Sequence, residues 1–122
     1  MDVEERMSLV EDGVVLWREI ENATPESVEQ FGAYIDTLTV DLPSFRLLID
    51  LTETSPPNPS TRRALKTLFK RLDKLERMAA FTGKHAIMNM AASFVLGGAL
   101  KAKPYSIHKT REEATRALGM KG

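Results

Sequence analysis

The spacing of apolar positions changes several times along the chain, and each change predicts an element. Residues 6–10 and 14–20 are short runs rich in apolar and β-branched side chains. Glu11-Asp12-Gly13 between them predicts a hairpin turn, because glycine reaches positive φ without a Cβ clash. Thr24-Pro25 predicts a helix start, with Thr24 as the cap and Pro25 at a first position where its missing N–H costs nothing. Val28, Phe31, Ile35 and Leu38 follow at helical spacing and form one core-facing stripe. After Leu42-Pro43, residues 45–51 read Phe-Arg-Leu-Leu-Ile-Asp-Leu. A run so nearly continuous suits a central strand covered on both faces, with Leu47, Ile49 and Leu51 inside it.

Residues 52–59 contain Pro56, Pro57 and Pro59 and predict a loop. A helix is expected over residues 60–77, its inner edge marked by Leu65, Leu68, Phe69, Leu72 and Leu75 or Glu76. Its outer face carries Arg62, Arg63, Lys66, Lys70, Arg71 and Lys74. Residues 78–82 form a short apolar strand pattern stopped by Gly83, and residues 85–100 an apolar helix ending at or soon after Gly97-Gly98. A last strand is expected over 104–108. Thr110-x-x-Glu113 is a capping-box pattern that opens a terminal helix through Ala114, Ala117 and Leu118. The order β-β-α-β-α-β-α-β-α defines an α/β fold: a single mixed, mostly parallel sheet of four to five strands, an N-terminal antiparallel hairpin and four helices.

Composition narrows this picture. A chain of 122 residues suits a single domain over residues 1–122. It has no cysteine, which removes disulfides and thiolate metal sites and points to a reducing compartment, the cytoplasm. Its first residues lack the basic and apolar blocks of a signal peptide. The most apolar stretch, residues 86–100, is too short for a bilayer span and is interrupted by Asn89, Ser93 and Gly97-Gly98, so no membrane span is expected. Charge is split between the halves. Residues 1–61 hold 13 acids and three bases, residues 62–122 four acids and 14 bases, so the halves carry −10 and +10. One folded unit in which the halves compensate each other is the expected arrangement.

Candidate chemistry is sparse. The two histidines, His85 and His108, are far apart, and neither has a carboxylate or second histidine at ligand spacing. No Gly-x-Ser-x-Gly, phosphate-loop or dinucleotide-binding glycine pattern occurs. A non-enzymatic protein with no cofactor and no metal is the expectation. The basic helix is diluted by Asp73 and Glu76, and no aromatic residue stands among its bases for stacking, so no nucleic-acid partner is expected. In the helix expected over 85–100, Ile87, Met90, Ala91 and Phe94 suffice for a core stripe. Met88, Ala92, Val95, Leu96 and Ala99 then remain for burial in a tight core, or for a homodimer or partner contact through residues 86–100.

The element order, together with Leu47-Leu-Ile-Asp50-Leu-Thr followed by a loop and a helix, resembles the STAS domain of anti-sigma-factor antagonists. The resemblance spans residues 6–118 by element order and is concentrated at sequence level over residues 47–65. In that family the loop ends Asp-Ser-Ser-Gly, and the second serine is phosphorylated by a partner kinase. At the same spacing from Asp50 this chain has Asn58-Pro59-Ser60-Thr61, which puts Ser60 at the phosphorylatable position. Asn58, Pro59 and Thr61 replace the family's aspartate, first serine and glycine, and Pro56-Pro57 its apolar loop residues, a divergence that resembles the looser STAS-like group. The resemblance implies a regulatory, protein-binding domain whose partner is a kinase or an anti-sigma-type regulator, with a partner surface over residues 52–63 centred on Asn58, Ser60, Thr61, Arg62 and Arg63. The looser group implies a second reading, a carrier of a small apolar ligand or lipid in a pocket beneath residues 86–100. For Ser60 itself the residues leave two roles: a polar first-turn residue behind an Asn58 cap, or a phosphate acceptor beside Arg62 and Arg63 at a helix's positive end.

Overall fold

The computed structural model describes residues 2–11, 13–84, 88, 92 and 104–121. The elements run α1 (Val3–Arg6), β1 (Met7–Glu11), β2 (Val14–Arg18), α2 (Pro25–Leu38), β3 (Phe45–Asp50), α3 (Pro59–Arg71), β4 (Leu75–Phe81), β5 (Tyr105–His108) and α4 (Arg111–Ala117). Five strands form one sheet whose spatial order, β1-β2-β3-β4-β5, is also the chain order. β1 and β2 are the antiparallel hairpin, and the other three pairings are parallel. β3 is therefore central, as its apolar run requires.

Period-two alternation sorts the strand residues onto two faces. Val15, Trp17, Leu47, Ile49, Met78 and Ala80 point to the face covered by α2 and α3. Val14, Leu16, Leu48, Ala79 and Phe81 point the other way and pack with Ala114 and Leu118 of the α4 region. The first face is the larger core. Its centre is aromatic: Trp17 stacks on Phe31 with ring centroids 4.9 Å apart and meets Phe69 at 6.0 Å.

Local signals set the helix starts. Thr24 accepts from Ser27 N and Ser27 Oγ accepts from Thr24 N, a reciprocal capping box, with Pro25 as the first helical residue. Asn58 caps α3 by accepting from Thr61 N, again with proline following. At α4 the Thr110 half of the expected box forms with Glu113 N, while the Glu113 carboxylate lies 3.9 Å from His108 Nδ1. That fold-back supplies the carboxylate neighbour that His108 lacks in sequence. His85 lies outside the described residues.

Several boundaries differ from expectation. The basic helix stops at Arg71 rather than residue 77, and the following strand begins at Leu75 rather than residue 78. Leu72 and Leu75 fit a helical stripe, but Leu75 also pairs with Phe45, whose N–H donates to Lys74 O. Lys74 Nζ is drawn to the carbonyls of Thr39 and Leu42, which fixes the chain reversal. Strand pairing thus takes residues that helical spacing alone would keep. β2 and β3 end at Arg18 and Asp50, slightly before the expected 20 and 51. The short α1 was not expected. Arg6 at its end donates to the carbonyls of Arg18 and Glu19. The helix expected over 85–100, and with it the homodimer face assigned there, lies outside the described residues except for Met88 and Ala92, which are helical and buried.

The charge asymmetry has a local counterpart. α2 holds Glu26, Glu29 and Asp36 and no base, α3 holds Arg62, Arg63, Lys66, Lys70 and Arg71 and no acid, and the two helices pack side by side. Asp36 and Arg71 pair across them at 3.1 Å.

Candidate functional site

The carboxyl ends of β2, β3 and β4 lie side by side on the α2/α3 face, where ligands commonly bind in open α/β sheets. A cavity opens there. Trp17 lines it from β2 and Glu19 from just past that strand, Ile49 from β3 and Leu51 from just past it, Ala80 from β4, and Leu65 and Phe69 from α3. Ala23, Thr54, Ser55 and Pro57 form its loop side, and Met88 and Ala92 complete the described wall. The space open to a water's centre is about 50 Å³, where one water needs about 10–15 Å³ on that measure.

The loop side is held by specific bonds. Asp50 Oδ1 accepts from both the N–H and the hydroxyl of Thr52, at 2.9 and 2.6 Å, which turns the chain sharply after β3. Ser55 reaches back to the Glu21 carbonyl through its own N–H at 3.3 Å and its Oγ at 2.8 Å. Thr61 Oγ1 donates to Ala23 O at 3.0 Å, which ties the start of α3 to the same segment.

Glu19 is the ionisable residue among the described lining residues. It follows Trp17 by two positions, so strand alternation sends both side chains to the same apolar face. Glu19 is only 5 % exposed. Desolvation by burial raises its pKa above the ordinary carboxylate value. The Ile20 N–H, donating to Oε1 at 2.9 Å, opposes that shift, as do the nearby Trp17 indole and Arg6. Trp17 Nε1 is buried, and the described group it interacts with is the Glu19 carboxyl, which it meets short of full hydrogen-bond geometry. A buried donor left unsatisfied costs about 1–3 kcal/mol. An apolar pocket therefore contains an under-satisfied donor beside a carboxyl, both 95 % or more buried.

The residues singled out from sequence are brought to the first turn of α3, beside this cavity. Asn58 is the cap, and Ser60 is exposed with its Oγ donating to Asn58 Oδ1 at 2.8 Å. Arg63 is exposed and Arg62 half-buried. Thr61 departs from the expected surface: it is fully buried, its hydroxyl committed to Ala23 O. Trp17 and Glu19 were not singled out, although Val15-x-Trp17-x-Glu19 places an acid in register with two core residues. Among the described residues no group of three or more His, Cys, Asp or Glu side chains is placed to hold a metal, and no helix is long and apolar enough to cross a membrane.

No family model and no curated protein matches the sequence. Among solved structures, the chain is similar to an uncharacterized protein from the DUF3478 family with a SpoIIAA-like fold from Shewanella loihica PV-4. The TM-score is 0.68 at 17 % identity, covering 92 % of this chain and 90 % of that one. The fold is thus SpoIIAA-like, the class to which the STAS resemblance points.

Proposed function

We propose that this SpoIIAA-like domain is a non-catalytic binding domain that holds a small, largely apolar molecule in the cavity between β2, β3, β4 and α3. The observation that carries this reading is the buried Trp17 Nε1, short of a hydrogen bond of full geometry, in a largely apolar cavity larger than one water. Glu19 has no second acid and no histidine among the described lining residues, and the Thr54 and Ser55 hydroxyls there donate to backbone carbonyls. Native mass spectrometry of freshly purified protein should show a retained small molecule, and stripped protein should bind the neutral dye Nile red saturably. Ala92→Leu should fill the wall and abolish dye binding while leaving the fold intact. Absence of both a retained molecule and Ala92-sensitive dye binding would reject the reading.

A second reading, a regulatory contact with a protein partner such as a kinase or an anti-sigma-type regulator, is favoured by the exposed Ser60 hydroxyl at the second position of α3. The surface for it comprises Asn58, Ser60, Arg62 and Arg63 with the proline-rigid loop, while Thr61 serves it from beneath. The two readings are compatible, since Thr54, Ser55 and Pro57 belong to both the cavity wall and the loop.

A further inference from the structure

Trp17 and Glu19 define the head-group chemistry of whatever enters the cavity. They stand two residues apart at the end of β2, Glu19 just past the strand, Trp17 1 % and Glu19 5 % exposed. The indole N–H can only donate, and its interaction with the Glu19 carboxyl falls short of full hydrogen-bond geometry. Glu19 Oε1 already receives the Ile20 N–H at 2.9 Å, which leaves Oε2 for a guest. A guest that satisfies both must accept from the indole and donate to the carboxyl.

Simple head groups separate cleanly under that demand. A carboxylate can accept from Trp17, but it sets a second acid beside Glu19 in a desolvated site, where like charges disfavour each other. An alkylammonium can donate to Glu19 but has no lone pair for the indole. An ether oxygen accepts and cannot donate. A hydroxyl does both through one atom and carries no charge into the apolar wall.

We propose that the cavity selects apolar molecules bearing a neutral hydroxyl head group, which accepts a hydrogen bond from Trp17 Nε1 and donates one to the Glu19 carboxyl. This rests on the cavity-binding reading above and adds to it the chemical class of the ligand: a lipid-like alcohol, rather than a fatty acid or an amine.

The test uses four probes of equal chain length on the stripped full-length protein: 1-octanol, octyl methyl ether, octanoate and octylammonium. Displacement of Nile red reads their affinities. 1-Octanol should bind about tenfold or more tightly than each of the others, since a site built to bond a hydroxyl leaves buried groups unpaired with analogues that lack it. Glu19→Gln turns the carboxyl into a donor, so octanoate and the ether should gain on octanol. Trp17→Phe should weaken octanol and the ether together and leave octylammonium unchanged. The wild-type ranking stands as a test even where the Trp17 variant folds poorly. Equal affinities for octanol, ether and octanoate, unmoved by Glu19→Gln, would overturn the head-group assignment while leaving the cavity reading in place. Failure of all four to displace the dye would overturn the assignment, and failure of the dye itself to bind would overturn the cavity reading.

Discussion

Gly32 of α2 and Leu68 of α3 meet so closely that a Cβ at position 32 would stand 2.8 Å from Leu68 Cδ1 and 3.1 Å from Arg71 Nη2. Glycine here is a packing device, because in a helix interior alanine is intrinsically better by about 1 kcal/mol. Leu68 is buried and has little room to yield. Overpacking a fixed contact costs about 1–3 kcal/mol. Gly32→Ala should therefore destabilise by about 1 kcal/mol net in denaturant melts, and a stabilised variant would show that the helices can part without cost.

The two faces of α3 should separate equally clearly. Leu68 and Phe69 are buried against the sheet and α2, and Arg63 is exposed. Leu68→Ala and Phe69→Ala should each cost about 2–5 kcal/mol. Arg63→Ala should stay within about 0.5 kcal/mol. Urea melts giving equal losses for all three would contradict the assigned faces.

These helix faces were legible because they depend on local spacing. Asn58-Pro59 and Thr24-Pro25 mark helix starts through capping chemistry that needs no tertiary contact. The end of α3 was not legible, because Leu72 and Leu75 are buried equally well in a helix or a strand and a long-range pairing with Phe45 decides between them. Thr61 looks like a surface residue in sequence, being polar and in a helix's first turn. Its burial follows from the Ala23 carbonyl, 38 residues earlier in the chain. Trp17 and Glu19 could have been paired from alternation alone. That they form a cavity wall depends on Leu65, Phe69, Met88 and Ala92, which the fold brings together.

Burial of Glu19 gives a pH signature with a definite sign. Its pKa is raised in the folded state, so between the unfolded and folded values the native protein holds a proton that the unfolded chain has released. Stability then falls as pH rises through that window, and the cost is fully present above the folded pKa. Glu19→Gln keeps an acceptor for the Ile20 N–H and removes the charge. The variant's melting temperature should match wild type at pH below about 4, where both side chains are neutral, and exceed it increasingly as pH rises. A difference that shrinks with rising pH would mean that Glu19 is better stabilised as an anion than its burial implies.

Ser60 offers the most direct route to a regulatory role. It is the second residue of a 13-residue helix, its hydroxyl exposed and bonded to the capping Asn58. The cap does not depend on it, because Asn58 Oδ1 also accepts from Thr61 N at 2.9 Å. Ser60→Ala should therefore fold with a loss of about 0.5–1.5 kcal/mol at most, one exposed hydrogen bond. A negative charge at this position lies at the positive end of the helix and should be neutral or stabilising by about 0.3–1 kcal/mol. A phosphate would add nearly two charges to a surface that already presents Arg63, altering its attraction for any charged partner. The neighbouring loop loses little entropy on docking, since Pro56, Pro57 and Pro59 restrict it and Ser55 is bonded to Glu21 O. Ser60→Asp should thus keep the wild-type melting temperature yet shift partner affinity about tenfold, or about 1.4 kcal/mol. The measurement is a pull-down from native lysate followed by titration of wild type, Ser60→Ala and Ser60→Asp against the captured protein. Equal affinities for all three, with no phosphopeptide covering Ser60 in cells, would exclude a switch at this residue and leave the cavity as the domain's working site.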